Sequence, residues 1–157
     1  MLLKGMVFED FTQYKVPSMF LITPNCTFKC EKECNKAFCQ NSNLAKIPII
    51  TISNQKLINQ YLKNPITKAL VFGGLEPFDT FKDVVEFIIL FRKVCNDPII
   101  IYTGYDKAEI TKELSMLIPF KNIIIKYGRF IPNQPPHYDN VLGVKLASDN
   151  QYAEKLC

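Results

Sequence analysis

The chain is short of several things that would settle its role at once. It has one histidine in 157 residues, so a search for a His-assisted nucleophile finds no pair. His137, set in a proline-rich stretch, is assigned no catalytic part. It has no long apolar run: segments such as Phe87 to Phe91 fall far short of the roughly 20 residues a helix needs to cross a bilayer, and no membrane span is expected. The opening residues MLLKGMVFEDF bring a lysine and then acidic residues before any apolar stretch of signal-peptide length, with no small-residue cleavage site. An intracellular, cytoplasmic protein is the expectation. There is no low-complexity segment and no internal repeat. The net charge is a mild +4, and the basic residues are scattered rather than gathered into an arm or an Arg-rich helix, so no nucleic acid partner is indicated.

What is present begins with apolar content. At 48% apolar, 157 residues can bury one real core but are too few for two ordinary domains, and a single domain over 1–157 is expected. Short β-branched runs recur: MFLIT at 19 to 23, IPIITI at 47 to 52, ALVFG at 69 to 73, PIIIYT at 98 to 103, NIIIKY at 122 to 127 and VLGVKLA at 141 to 147. Several are apolar at consecutive positions, as strands covered on both faces are. Between them lie segments of helical spacing. Residues 54 to 63 carry Leu57, Ile58, Tyr61 and Leu62 on one stripe before Pro65. Residues 80 to 95 carry Val84, Phe87, Ile88, Phe91 and Cys95 after a Thr80 N-cap. Residues 106 to 117 open on Asp106 and Glu109, a capping-box pair, and bring Ile110, Leu114 and Leu117 inward.

Alternating strand and helix favours βαβ units and a parallel sheet, with ligands at the carboxyl ends of its strands. Eight repeats would take about 250 residues. The expected fold is therefore α/β, an open partial (β/α) barrel with a mostly parallel sheet. Residues 131 to 140, IPNQPPHYDN, are expected to cross the surface as an ordered loop.

Six cysteines are present, and four of them fall in NCTFKCEKECNKAFCQN: Cys26, Cys30, Cys34 and Cys39. A secreted scaffold would spread its cysteines to close many loops. This cluster instead follows directly on the strand MFLIT, at the edge where ligands bind. Cys95 is expected to act as a small buried hydrophobe, and Cys157 as a mobile free thiol. Four close thiols can hold zinc, hold an iron–sulfur cluster or pair as disulfides. Structural zinc commonly takes two short hooks separated by a longer excursion, and no second hook is present. A short loop suits a preassembled iron–sulfur cube, whose corners its thiolates can reach.

Cys26 and Cys30 are three residues apart, Phe38 precedes Cys39, and Gln40 and Asn41 follow it. In these features the loop resembles that of the radical S-adenosylmethionine (SAM) enzymes, and in particular the small activating enzymes of anaerobic ribonucleotide reductase. The resemblance implies Cys26, Cys30 and Cys39 as ligands of a [4Fe-4S] cluster, with a gap of eight residues where the family usually has two. The set Cys26, Cys30 and Cys34 is the alternative, and Cys34 is otherwise an extra thiol in an enlarged loop. Three protein ligands leave one iron open. The resemblance implies that the amino and carboxylate groups of SAM bind there.

Further segments extend the likeness. GGLEPFD, with Gly73, Gly74 and Glu76, resembles the family's GGE motif, which implies binding of the SAM amino group. In this chain Leu75 intervenes before Glu76. YTGY, Tyr102 to Tyr105, resembles a segment that implies a SAM-pocket lining by Thr103 and Gly104; a plain strand-to-helix turn is the other reading. KYGRFI at 126 to 131 and ASDNQ at 147 to 151 resemble the end of the reductase activators. Arg129 is read either as a contact to a carboxylate or to the partner, or as a solvated surface charge.

The resemblance implies an enzyme that installs a glycyl radical on a large protein, a class III ribonucleoside-triphosphate reductase, supplied with electrons by a low-potential donor such as flavodoxin or ferredoxin. Another protein or peptide target, or a zinc-stabilised binding module, stands as the alternative.

Overall fold

The apolar runs at the centre of the chain become the centre of a sheet. In this computed structural model, which describes residues 1–35 and 37–156 without the side chain of Cys34, strands β1 (Leu2–Leu3), β2 (Gly5–Asp10) and β3 (Ser18–Ile22) open the chain. Two short helices follow, α1 (Lys29–Cys34) and α2 (Ser42–Lys46), then β4 (Ile50–Thr51), α3 (Asn54–Lys63) and β5 (Ala69–Gly73). A 3-10 turn, Pro77–Thr80, leads into α4 (Phe81–Phe91) and β6 (Ile99–Tyr102). A second 3-10 turn, Lys107–Ile110, leads into α5 (Thr111–Leu117) and β7 (Ile123–Tyr127). Strands β8 (His137–Asp139), β9 (Val144–Leu146) and β10 (Tyr152–Lys155) complete the chain.

Six strands form the central sheet in the order β10-β7-β6-β5-β3-β2. The inner four are parallel, and both outer pairings are antiparallel. The molecule is thus mixed α/β with a mostly parallel sheet, and among the described residues β10 and β2 are its two edges.

Alternation along each strand sorts side chains between two cores. Leu70 and Phe72 of β5, Ile99 and Ile101 of β6, and Ile123 and Ile125 of β7 join Leu57, Ile58, Val84, Phe87 and Leu114. The buried faces of α3, α4 and α5 therefore all lie on one side of the sheet. Ala69, Val71, Ile100 and Ile124 face the other way, against Tyr14, Leu142 and Leu146. The sheet is covered on both faces, as consecutive apolar residues predict, but the second cover is the N-terminal segment and the β8–β9 hairpin rather than a second helical layer. On the helical side Phe87 stacks on Phe91, and Phe72 meets Phe87 edge-on at 5.6 Å. Truncating either phenylalanine to alanine costs about 3–5 kcal/mol at such sites.

Several expectations are corrected. IPIITI yields only the exposed two-residue β4, paired with β1 outside the main sheet. VLGVKLA yields β9 alone, paired with β8 in a hairpin; Asp139 turns that hairpin by accepting the Val141 and Leu142 N–H groups. His137 is half-buried on β8 rather than set in a surface loop. The helix expected at 80 to 95 occupies Phe81–Phe91, and Thr80 does not cap it: its hydroxyl donates to the Pro77 carbonyl. Leu62 is half-exposed rather than part of the α3 stripe. Cys95 lies beyond α4, half-buried against the core. Cys157 lies outside the described residues. The Asp106–Glu109 pairing is present, with the Glu109 carboxylate accepting the Asp106 N–H at 2.9 Å.

Candidate metal centre

All four parallel strands deliver their carboxyl ends to one place, and each loop that leaves them contributes to it. The loop after β3 carries the cysteines. It is not a plain loop, because residues 29–34 form the short helix α1, bracketed by Phe28 and Asn35 at φ 52° and 48°. Cys26 precedes this helix, Cys30 lies in its first turn and Cys39 follows it. All three are half-buried free thiols, and all three line a single cavity of about 270 Å³. Cys30 and Cys39 are neighbours there. Burial raises the Cys30 thiol, and the adjacent Cys39 raises it further. Burial pushes the Cys26 thiol up to about 12, opposed by the Phe28 N–H that its sulfur accepts at 3.3 Å. A metal-bound thiol is deprotonated outright, so coordination overrides such a shift. Cys34 lies in α1 with its side chain outside the described residues, and both readings of the third ligand stand.

Among the described residues, no three His, Cys, Asp or Glu side chains converge on one metal-ion position. Among the described side chains the candidate donors are the three thiols of Cys26, Cys30 and Cys39, set around one cavity.

The loop after β5 supplies Gly73, Gly74 and Glu76. Gly74 takes φ +82°, and a Cβ there would stand 2.7 Å from Ile22 Cγ2. Only glycine fits, so backbone rather than side chain faces the cavity at this point. Glu76 is 7% exposed. Its carboxylate accepts the Thr103 hydroxyl at 2.7 Å, the Gly104 N–H at 2.9 Å and the Phe78 N–H at 3.1 Å. Burial nevertheless raises its carboxyl to about 7 against those three donors. Thr103 and Gly104 are thus brought to the site and held by Glu76. The two motifs, read separately in the sequence, form one hydrogen-bonded unit.

The cysteine loop is tied to the same unit. The Glu76 N–H donates to the Asn25 carbonyl at 2.8 Å, and Asp79 accepts the Thr27 N–H at 2.6 Å and the Tyr105 hydroxyl at 2.7 Å. On the outer side, Arg129 bridges Glu33 of α1 at 3.2 Å and Glu109 at 2.7 Å. Its side chain is only 11% exposed, so the reading of a solvated surface charge is corrected: Arg129 clamps the cysteine helix to the start of the α5 segment. Phe38, singled out beside Cys39, meets Phe130 edge-on at 5.9 Å, and both rings line an adjoining cavity of about 320 Å³.

Two residues that the sequence reading does not single out complete the walls. Lys126, at the end of β7, lines both cavities, as does Gln151 after the β9 strand. The signal for Lys126 was a lone cation in the apolar run NIIIKY, at a position whose period-two partners are buried.

The family described as 4Fe-4S single cluster domain matches this chain over residues 17–151, and the chain belongs to that family. The matched span holds every residue of the site just described. No curated protein matches the chain, and no solved structure does.

Proposed function

We propose that this chain is a radical SAM enzyme that activates a glycyl radical protein, with a class III ribonucleotide reductase as its target. The observation that carries the reading is the meeting, in one cavity, of Cys26, Cys30 and Cys39 with Gly74, Glu76 and Gly104, in a member of a single-cluster 4Fe-4S family. Three protein thiolates leave a fourth corner for an exchangeable ligand. A helical layer on one side only, with the cavity on the other, suits an open partial barrel.

When bound, the [4Fe-4S] cluster would supply the electron that splits the sulfonium of SAM into methionine and a 5′-deoxyadenosyl radical. The chain's own residues bind and orient. Gly74 lets the ligand approach backbone without a side chain between them. Glu76 fixes the Thr103–Gly104 segment by accepting three hydrogen bonds, so that wall needs no rearrangement as a ligand enters. Phe38 and Phe130 place apolar surface beside the cluster loop and limit water there. A large protein substrate would cover what the small domain leaves open, and the electron would come from a flavodoxin or ferredoxin.

The test is anaerobic reconstitution with iron and sulfide, reduction, and measurement of 5′-deoxyadenosine from SAM, followed by electron paramagnetic resonance with an anaerobic reductase. A glycyl radical signal is expected. Deoxyadenosine without that signal would redirect the reading to another protein or peptide target. Zinc in place of iron and sulfide would end it.

A further inference from the structure

At the amino ends of β6 and β7, the end of the sheet opposite the cysteines, another cavity of about 210 Å³ opens on the face away from the helices. Tyr14, Lys15 and Lys155 bring polar groups to it, and Pro98, Ile124 and Val141 give it apolar walls. Tyr14 is 5% exposed. Its hydroxyl has no hydrogen-bond partner among the described residues and is not sealed from solvent, although a buried tyrosine usually finds one. The group is free to meet a ligand in the cavity that Tyr14 lines.

Both lysines are set by the fold. The Lys15 N–H donates to the Leu142 carbonyl at 2.8 Å, and Gly143, at φ +73°, lies so near that a Cβ there would stand 2.6 Å from Lys15 Cβ. The turn between β8 and β9 thus seats the Lys15 stem, and glycine is what permits it. Lys15 Nζ stands 5.5 Å from the centre of the Tyr14 ring. Lys155 pairs in register with Ile124 and follows Ala153 by two residues, so it leaves β10 on the face that carries Tyr14 and Ile124.

No carboxylate answers these two ammoniums. No aspartate or glutamate lines the cavity, and neither lysine makes a salt bridge among the described residues. Asp139, the carboxylate of the adjoining hairpin, is taken by the Val141, Leu142 and Ala153 N–H groups. Two cations that share a cavity repel one another, and an anion between them turns the repulsion into attraction. Two ammoniums and a phenol suit a doubly charged group with several strong acceptor oxygens better than a carboxylate with two.

We propose that this cavity binds a phosphate group, held by Lys15 Nζ, Lys155 Nζ and the Tyr14 hydroxyl. The volume is several times the roughly 30 Å³ that a water takes in the liquid, so there is room beside the apolar walls for an organic body attached to the phosphate. The site is independent of the cysteine cavity and of the SAM reading.

The experiment measures equilibrium binding of inorganic phosphate, adenosine monophosphate and adenosine to the cluster-loaded full chain by calorimetry at low ionic strength. Wild type is compared with Lys15→Met, Lys155→Met, Tyr14→Phe and Lys82→Met, the last a change to an exposed lysine of α4 on the helical side. Lys15→Met and Lys155→Met are each expected to weaken binding of both phosphate compounds about 10-fold, and Tyr14→Phe roughly threefold. Lys82→Met should change neither, and adenosine should not distinguish the five proteins. Tighter binding of adenosine monophosphate than of phosphate makes the ligand an organic phosphate, while equal affinities make it the free anion. Wild type that binds neither compound, affinities that ignore both lysines, or an equal loss in Lys82→Met would overturn the proposal. Lys155→Met, whose side chain lies on the surface, decides the matter alone if Lys15→Met or Tyr14→Phe lowers the thermal midpoint.

Discussion

The Thr103 hydroxyl donates to Glu76 Oε1 over 2.7 Å, and through that bond the loop after β6 is fastened to the loop after β5. The same carboxylate holds the Gly104 and Phe78 N–H groups, so one side chain organises the wall facing the cysteines. Glu76→Ala would leave a hydroxyl and two amides without their acceptor in a buried place. A loss of roughly 2–4 kcal/mol is expected, read as a lowered denaturation midpoint. Glu76→Gln should lose less, since an amide oxygen can still accept, although its NH2 group then faces a donor.

Gly74 makes a sharper test of geometry. Its φ of +82° and the 2.7 Å approach of Ile22 Cγ2 oppose any Cβ. Gly74→Ala is expected to cost roughly 2–4 kcal/mol, combining left-handed backbone strain with overpacking. Gly73→Ala should cost less: its backbone is not left-handed, and its nearest Cβ contacts, to Phe20 and Tyr102, are 3.2 Å. Thermal unfolding of the two variants side by side decides the ranking.

Lys126 gives a stability effect of opposite sign. Burial lowers its ammonium from 10.5 to about 8. Between those values the folded chain binds fewer protons than the unfolded chain, so stability rises with pH across that window and the full penalty is present below pH 8. Lys126→Met is therefore expected to be more stable than wild type at pH 7, by up to about 3 kcal/mol, with the gap closing as pH rises from 8 to 10.5. Denaturant titrations at the two ends of that window, with the metal state matched, measure it. A variant less stable than wild type at pH 7 would contradict this account.

Glu109 behaves in the opposite sense. Its hydrogen bond with Arg129 holds its carboxyl at about 2, below the ordinary 4.5. The stabilisation is present above pH 4.5 and is lost as pH falls toward 2. Because the pair is partly exposed, Arg129→Met should cost only about 1 kcal/mol at neutral pH, and the two proteins should converge by pH 2. Acid unfolding curves followed by circular dichroism test the convergence. Arg129→Met should also loosen α1, since Glu33 loses its partner.

The parallel strands and the residues of the glycine loop were legible in the sequence because burial on both faces leaves runs with no polar interruption; ALVFG corresponds to β5 residue for residue. The edge strands were not. GMVFED and YAEK mix charged and apolar residues, as antiparallel edges open to water do, and such a pattern is hard to tell from a loop. Helix α1 was hidden because its six residues, KCEKEC, have no apolar stripe, and its ends are set by backbone turns at Phe28 and Asn35. Lys126 escaped for a related reason, and Arg129 stood between a carboxylate contact and a solvated charge. Local sequence shows a cation, while its role depends on Glu33, Glu109 and Gln151, which only the fold brings near.

The cysteine assignment can be settled by metal content alone. Cys26, Cys30 and Cys39 share one cavity, and the Cys39 backbone is fixed where Glu31 Oε1 accepts its N–H at 2.8 Å. Each of Cys26→Ala, Cys30→Ala and Cys39→Ala should retain far less iron and sulfide than wild type after anaerobic reconstitution, because two thiolates grip a cube at only two corners. Cys34→Ala should retain wild-type amounts and still yield deoxyadenosine. If Cys34→Ala instead loses its iron while Cys39→Ala keeps it, the third ligand is Cys34. The Glu31–Cys39 hydrogen bond then serves only to shape the loop.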